Sequence, residues 1–231
     1  MANVLEVSHL SIGFGKTAVL RDVSFHVAAG TSLAIVGPNG SGKTVLFKAL
    51  IGAIPFEGSI RWAPGVRIGY VPQKLDLERD VPITGVDFLA AHPRLTGASH
   101  ATVADALALV GLSPEISVQP IGAWSGGQFQ RLLVAFALVG NPTVLLLDEP
   151  MANVDEPGEE RLNALVQRLQ LERGLTVLLI SHELTVVARY ATSVLCLSRD
   201  RIWYGPPRDI LTPDLLREIY GMPVAFHVHE P

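Results

Sequence analysis

A single cysteine, Cys196, leaves this 231-residue chain without an internal disulfide, so its stability must come from a packed core, and a reducing cytoplasm is its simplest home. Positive charge is scarce as well: 18 basic against 22 acidic side chains give a net charge of -4, and no polybasic run occurs. Nucleic-acid binding therefore has no electrostatic support. Nor is any apolar run long enough to span a bilayer. The most apolar stretch, Leu132 to Leu147, is cut by Asn141 and Pro142 and reads as a helix followed by a strand. The N-terminus "MANVLEVSHL" lacks the basic-then-apolar pattern of a secretory signal, and neither repeats nor heptads are evident. Against these absences stands a 48% hydrophobic composition with a mean hydropathy of +0.35. That is high for a soluble chain and fits a parallel sheet buried on both faces, in one α/β domain or one domain plus a small lobe.

Leu5 to Phe14 and Val19 to Val27 read as β segments joined by the turn "GKTA", an antiparallel opening. From Thr31 the rhythm changes to strand, glycine loop and helix, with "TSLAIVG" as the strand and a helix from about Lys43. The later runs "VLLLD" and "TVLLIS", rich in aliphatic residues, suit central parallel strands. From roughly Lys74 to Val139 strand signals are few, and helices are expected at Thr102 to Val110 and Gly126 to Val139. The expected fold class is α/β, with a mixed, mainly parallel sheet, an N-terminal antiparallel β subdomain and an inserted helical subdomain. Its expected division is residues 1–73 and 140–220 as the core, 74–139 as the helical subdomain, and 221–231 as a loosely ordered tail.

The strongest local signal is "GPNGSGKT", which satisfies G-x-x-x-x-G-K-[ST] between an apolar strand and a helix. In that context Gly37, Pro38, Asn39, Gly40, Ser41 and Gly42 form a loop whose backbone amides turn inward on a β-phosphate, aided by the helix dipole. Lys43 reaches the β- and γ-phosphates and Thr44 ligates Mg²⁺. "TVLLLDEP" supplies the complementary half: a strand that delivers Asp148 to the metal shell and puts Glu149 where it can polarise the attacking water. A second anion site follows from "WSGGQFQR", where Ser125, Gly126 and Gly127 open a helix with a hydroxyl and free amides. Because the first loop already cradles the chain's own nucleotide, this hairpin is expected to bind the γ-phosphate held by a second copy. A serine-hydrolase reading of "AWSGG", with Ser125, Asp148 and His182 in hydrolase order, fails on two counts. Pro120 and Gly122 interrupt the required strand, and Ala123 stands where the elbow needs glycine.

Taken in order, these motifs resemble the ATP-binding cassette ATPases that drive membrane transporters, over nearly the whole chain. The resemblance implies ATP and Mg²⁺ as cofactors and an ATP-binding set of Gly37 to Thr44 with Val45, a Q-loop residue Gln73 in "YVPQ", and a signature at Ser125, Gly126, Gly127 and Gln128. It further implies Asp148 as the metal carboxylate beside Thr44 and Gln73, Glu149 as catalytic base, Asp155 in a D-loop, and His182 as the switch histidine. Phe14 falls where the family places a ring that stacks on adenine. Two departures are visible: Trp124 replaces the usual leucine before the signature serine, and Val45 the usual Thr or Ser. Neither removes a presumed phosphate or metal contact.

The same resemblance implies a homodimer closing around two ATP molecules beneath integral membrane permease subunits, served by an extracytoplasmic substrate-binding protein and lying on the cytoplasmic face of the membrane. Leu75 to Leu89 is the candidate dock for the permease, because it carries apolar residues in a charged, Pro-bounded segment. More diffusely, "RIGYVPQKLDLERDVPITGVDFL" and the region from Ile180 to Gly221 are similar to the zinc and manganese importer branch, with iron-chelate importers close by. His227 and His229 could share a transition metal if extended, although two ligands make a poor site. Cassette ATPases of DNA repair or translation are disfavoured: they are typically tandem or carry long coiled coils, and this chain has one cassette.

Overall fold

The computed structural model of the chain describes residues 2–15, 17–73, 75, 82–92, 100–150, 156–198 and 201–221. It opens with two long strands, β1 (Asn3–Phe14) and β2 (Thr17–Ala28), paired antiparallel. Next come β3 (Ser32–Val36), helix α1 (Lys43–Leu50), β4 (Glu57–Trp62) and β5 (Ile68–Val71). A helical stretch follows with α2 (Gly85–Ala90), α3 (His100–Leu109), the short α4 (Pro114–Ser117), a 3-10 turn at Ile121–Ala123, and α5 (Gly126–Leu138). The chain then alternates through β6 (Val144–Asp148), α6 (Glu156–Arg173), β7 (Thr176–Ile180), α7 (Leu184–Tyr190) and β8 (Ser193–Leu197). It ends in β9 (Ile202–Gly205), α8 (Pro207–Ile210) and α9 (Pro213–Tyr220).

Two sheets result. One is antiparallel in the order β2-β1-β4; the other runs β5-β6-β7-β3-β8-β9, parallel except for the β8–β9 pair. The aliphatic runs of the second sheet bury both faces, because successive side chains point opposite ways. In β6, Val144 and Leu146 join the core shared with α1 and the antiparallel sheet, whereas Leu145 and Leu147 join the core under α3, α5 and α6. In β3, Leu33 and Ile35 face the first of these cores, while Ala34 and Val36 meet α7, α8 and α9. Cys196 in β8 lies fully buried on that last face, as a small apolar residue would. A parallel sheet covered this way sends the C-terminal ends of β3, β6 and β7 to one edge, where loops carry ligands.

Among the described residues the expected α/β class, the antiparallel opening and the helical insertion are all present. Helix boundaries shift slightly: α3 runs from His100 to Leu109 rather than from Thr102 to Val110, and α5 stops one residue before Val139. The break at Asn141 and Pro142 separates α5 from β6 as expected, with Asn141 at φ 47 supplying the left-handed turn that Asn tolerates. Among the described residues no helix is long and apolar enough to cross a membrane. Of the tail from 221 onward, only Gly221 is described; it caps α9 at φ 70. His227 and His229 lie outside the described residues.

Candidate functional site

The loop between β3 and α1 is built on glycines for steric reasons. Gly37 sits at φ 146, and a Cβ there would stand 2.1 Å from the Leu197 carbonyl oxygen; Gly42 caps α1 at φ 95, with Leu20 at 2.8 Å from such a Cβ. Only glycine lets the chain turn this tightly between packed strands. Lys43 is 5% exposed, and its Nζ donates to the carbonyls of Gly37 (2.9 Å) and Pro38 (3.2 Å). Burial pulls its pKa down, opposed by the nearby carboxylates of Glu149 and Asp148. The ammonium is thus folded over its own loop, held by weak neutral acceptors that a phosphate would outbid. Ser41 Oγ, in the same loop, is buried with no hydrogen-bond partner among the described residues, so it can donate to an anion. Asn39 and Gly40 form the exposed tip. The Val45 side chain packs against the core, which leaves only its backbone amide for a ligand.

Asp148 ends β6 fully buried. Its Oδ1 accepts from Thr44 Oγ1 at 3.2 Å and its Oδ2 from the Tyr70 hydroxyl at 3.3 Å. Burial raises its pKa, offset by those two hydrogen bonds. A carboxylate and a hydroxyl converging on one point are hard oxygen donors of the kind Mg²⁺ prefers, and they fit that ion. Glu149 follows with φ 46, a left-handed conformation that costs a non-glycine residue about 1–3 kcal/mol. Its amide donates to the Ile180 carbonyl at 3.1 Å, which pins it to the end of β7. Both of its carboxylate oxygens are engaged: Gln73 Nε2 donates to Oε2 at 2.6 Å, and His182 Nε2 donates to Oε1 at 2.5 Å. Gln73 lies just past β5 and His182 just past β7, so the parallel register β5-β6-β7 assembles all three. Gln73 spends its amide nitrogen here; its carbonyl oxygen is the atom a cation would take.

Phe14 ends β1 at 53% exposure, an open aromatic face at the tip of the first hairpin. Ser125 is the N-cap of α5. Its Oγ accepts from the Gln128 amide at 3.2 Å while Gln128 Oε1 accepts from the Ser125 amide at 2.8 Å, a reciprocal capping box. Gly126 and Gly127 line an open cleft with Arg131 and Arg161. Ser125 leaves a 3-10 turn rather than a strand, so no nucleophile elbow forms. Trp124 is 5% exposed, and its indole donates to the Gln119 carbonyl at 3.2 Å. Among the described residues no hydrogen bond or ion pair joins this hairpin to the phosphate loop of the same chain. Asp155 lies outside the described residues.

The segment expected to dock a permease is only partly described. Leu89 is buried, and Ile83, Val86 and Phe88 pack against the core, so the hydrophobic character of that stretch largely serves the chain's own interior. Leu75, 40% exposed, is its outward apolar residue among those described. Sequence reasoning missed Tyr70 altogether. Its only signal is a polar-tipped aromatic inside the strand "IGYV", and its partner lies 78 residues away.

A strand–glycine loop–helix unit with a buried carboxylate at the end of another parallel strand of the same sheet defines a P-loop nucleoside triphosphatase. Residues 20–152 match the family model described as ABC transporter, and the chain belongs to that family. It is the subunit that binds and hydrolyses ATP. Among curated relatives, the zinc import ATP-binding protein ZnuC of Cereibacter sphaeroides is 39% identical over 94% of this chain and 88% of that protein. ZnuC of Roseobacter denitrificans is 40% identical over 95% of this chain and 85% of that protein. Among solved structures, an ABC transporter in an inward-facing conformation matches with a TM-score of 0.86 at 25% identity, covering 96% of this chain and 90% of that one. A second, cbiO1 from Clostridium perfringens, part of the ABC transporter complex cbiONQ, gives 0.76 at 26% identity over 94% and 93%.

Proposed function

We propose that this ATPase subunit energises the import of zinc, working as a homodimer on the cytoplasmic face of the membrane beneath integral permease subunits fed by an extracytoplasmic substrate-binding protein. The cargo rests on the identity of about two residues in five to zinc import proteins across almost the whole chain. Residues 74–139 would receive the permease, with Leu75 exposed at its start. The dimer rests on a division of labour in the site. The phosphate loop and carboxylates form one half, and the open hairpin at Ser125, Gly126 and Gly127 presents amides and a helix dipole to a different phosphate.

The observation that carries the mechanism is the hold that Gln73 and His182 keep on Glu149. In the resting state the base is occupied. ATP stacks its adenine on Phe14 and lays its phosphates on the amides of Gly40 to Val45, and Lys43 exchanges the carbonyls of Gly37 and Pro38 for phosphate oxygens. Mg²⁺, when bound, would be held by Thr44, Asp148 and Gln73 and would neutralise charge on the β- and γ-phosphates. Release of Glu149 by the Gln73 amide nitrogen would free one carboxylate oxygen for water. Gln128 and Ser125 of a second copy, together with Asp155, complete the enclosure. Charge-assisted hydrogen bonds of roughly 1.5–3 kcal/mol each make several across the gap enough to shift an open–closed equilibrium. Glu149 then takes a proton from water as its oxygen bonds the γ-phosphorus and the bond to the β-phosphate oxygen breaks; His182 steadies the γ-phosphate. Separate ADP and phosphate repel, and the dimer reopens.

Deleting the gene and growing cells under zinc chelation tests the cargo. Growth should fail and be restored by zinc or by the wild-type gene, but not by a gene encoding Glu149→Gln. Rescue by manganese or iron with no response to zinc contradicts the reading.

A further inference from the structure

We propose that Tyr70 is a positioning residue for the divalent cation that accompanies ATP: its hydroxyl fixes one oxygen of Asp148 so that the other faces Thr44 and the metal. The inference rests on the metal reading of Asp148 and Thr44. Asp148 is fully buried and carries two oxygens in different bonds, Oδ1 with Thr44 Oγ1 at 3.2 Å and Oδ2 with Tyr70 at 3.3 Å. Without the second bond the carboxylate could swing about its last torsion, since such terminal torsions have broad wells.

The phenol has little freedom of its own. Its ring stands edge-on to Phe47 of α1, with centroids 6.3 Å apart and planes at 83°, and packs against the core between α1 and β6. Parallel pairing sets Tyr70 opposite Leu146, two residues before Asp148 and on the same face of β6. The phenolic hydroxyl carries a proton that it can donate to the carboxylate. At 3.3 Å the bond is long for a hydroxyl–carboxylate pair, and its effect is on aim more than on stability. Tyr70 also lies three residues before Gln73. The strand that carries a cation ligand at its end therefore braces another ligand from its middle.

Groups that orient metal ligands typically govern about 10–100-fold of metal affinity. The test uses Glu149→Gln protein in excess over ATP and follows Mn²⁺ by electron paramagnetic resonance. Adding Tyr70→Phe, which keeps the ring against Phe47, should weaken Mn²⁺ binding about 10-fold. ATP affinity in EDTA and the melting temperature should stay close to the parent values. With Glu149 intact, the Mg²⁺ concentration for half-maximal ATPase should rise similarly, and excess Mg²⁺ should recover the rate. Tyr204→Phe is the matched control, because it removes a hydroxyl whose 2.6 Å bond goes to the His26 carbonyl. Unchanged Mn²⁺ affinity in Tyr70→Phe, or an equal change in Tyr204→Phe, overturns the inference alone. A parent protein that binds no Mn²⁺ with ATP overturns the metal reading beneath it, and this inference with it.

Discussion

At the scale of single residues the site is a set of groups held in provisional bonds. Lys43 bonds its own loop, and Glu149 is taken at both oxygens, so each must exchange a partner to act. Lys43→Ala removes a buried ammonium that would bond phosphate, and ATP affinity should fall by at least about 10-fold in a direct binding titration. Glu149→Gln keeps the shape and loses the base. Phosphate release should drop by about 10²–10⁴-fold with ATP still bound, and a near wild-type rate would show that Glu149 is not the base. Asp148 gives a prediction of opposite sign for stability. Burial disfavours its charged form, so the neutral Asp148→Asn should raise the melting temperature of the nucleotide-free protein at neutral pH by about 2–4 °C per kcal/mol relieved. The same change should abolish the extra stabilisation that Mg²⁺ gives with ATP. A lower melting temperature would mean that the bonds from Thr44 and Tyr70 outweigh desolvation.

At the scale of elements, the glycine hairpin depends on what packs behind it. Gly85 opens α2 against the Trp124 ring, and a Cβ there would lie 2.3 Å from it. Gly85→Ala must therefore push the indole, which precedes Ser125 directly. The expected cost is about 1–3 kcal/mol, seen as a lower denaturation midpoint, against at most ~1 kcal/mol that alanine gains over glycine in a helix. Full stability in this variant would show that Trp124 yields freely. Elements defined by local chemistry were legible in the sequence. The loop Gly37 to Thr44, the strand ending in Asp148 and the cap at Ser125 each declare themselves within eight residues. β4 and β5 did not, because "EGSIRW" and "IGYV" are short and their partners lie far along the chain. The Tyr70–Asp148 bond was invisible for the same reason, since only the β5–β6 register creates it. The apolar residues of "VPITGVDFL" invited a docking role, yet alternation cannot tell an outward dock from Ile83, Val86 and Phe88 packed inward.

For the whole molecule, the parallel sheet gathers Gln73, Glu149 and His182 at one edge, while among the described residues no hydrogen bond or ion pair links the Ser125 hairpin to the phosphate loop. A site divided in this way should be completed only by a second chain. Ser125→Ala separates the two roles of that residue: loss of the cap costs about 1 kcal/mol of stability, whereas loss of a trans phosphate contact should also raise the ATP concentration needed for Glu149→Gln chains to pair. Pairing at an unchanged ATP concentration would leave Ser125 a cap and nothing more. The most direct measurement is ATP turnover per chain across a dilution series, with the mass of the reacting species determined by light scattering in the same samples. Turnover should rise with concentration in step with a species of twice 24.8 kDa and vanish as that species does. Undiminished turnover in samples holding only the 24.8 kDa chain would contradict it.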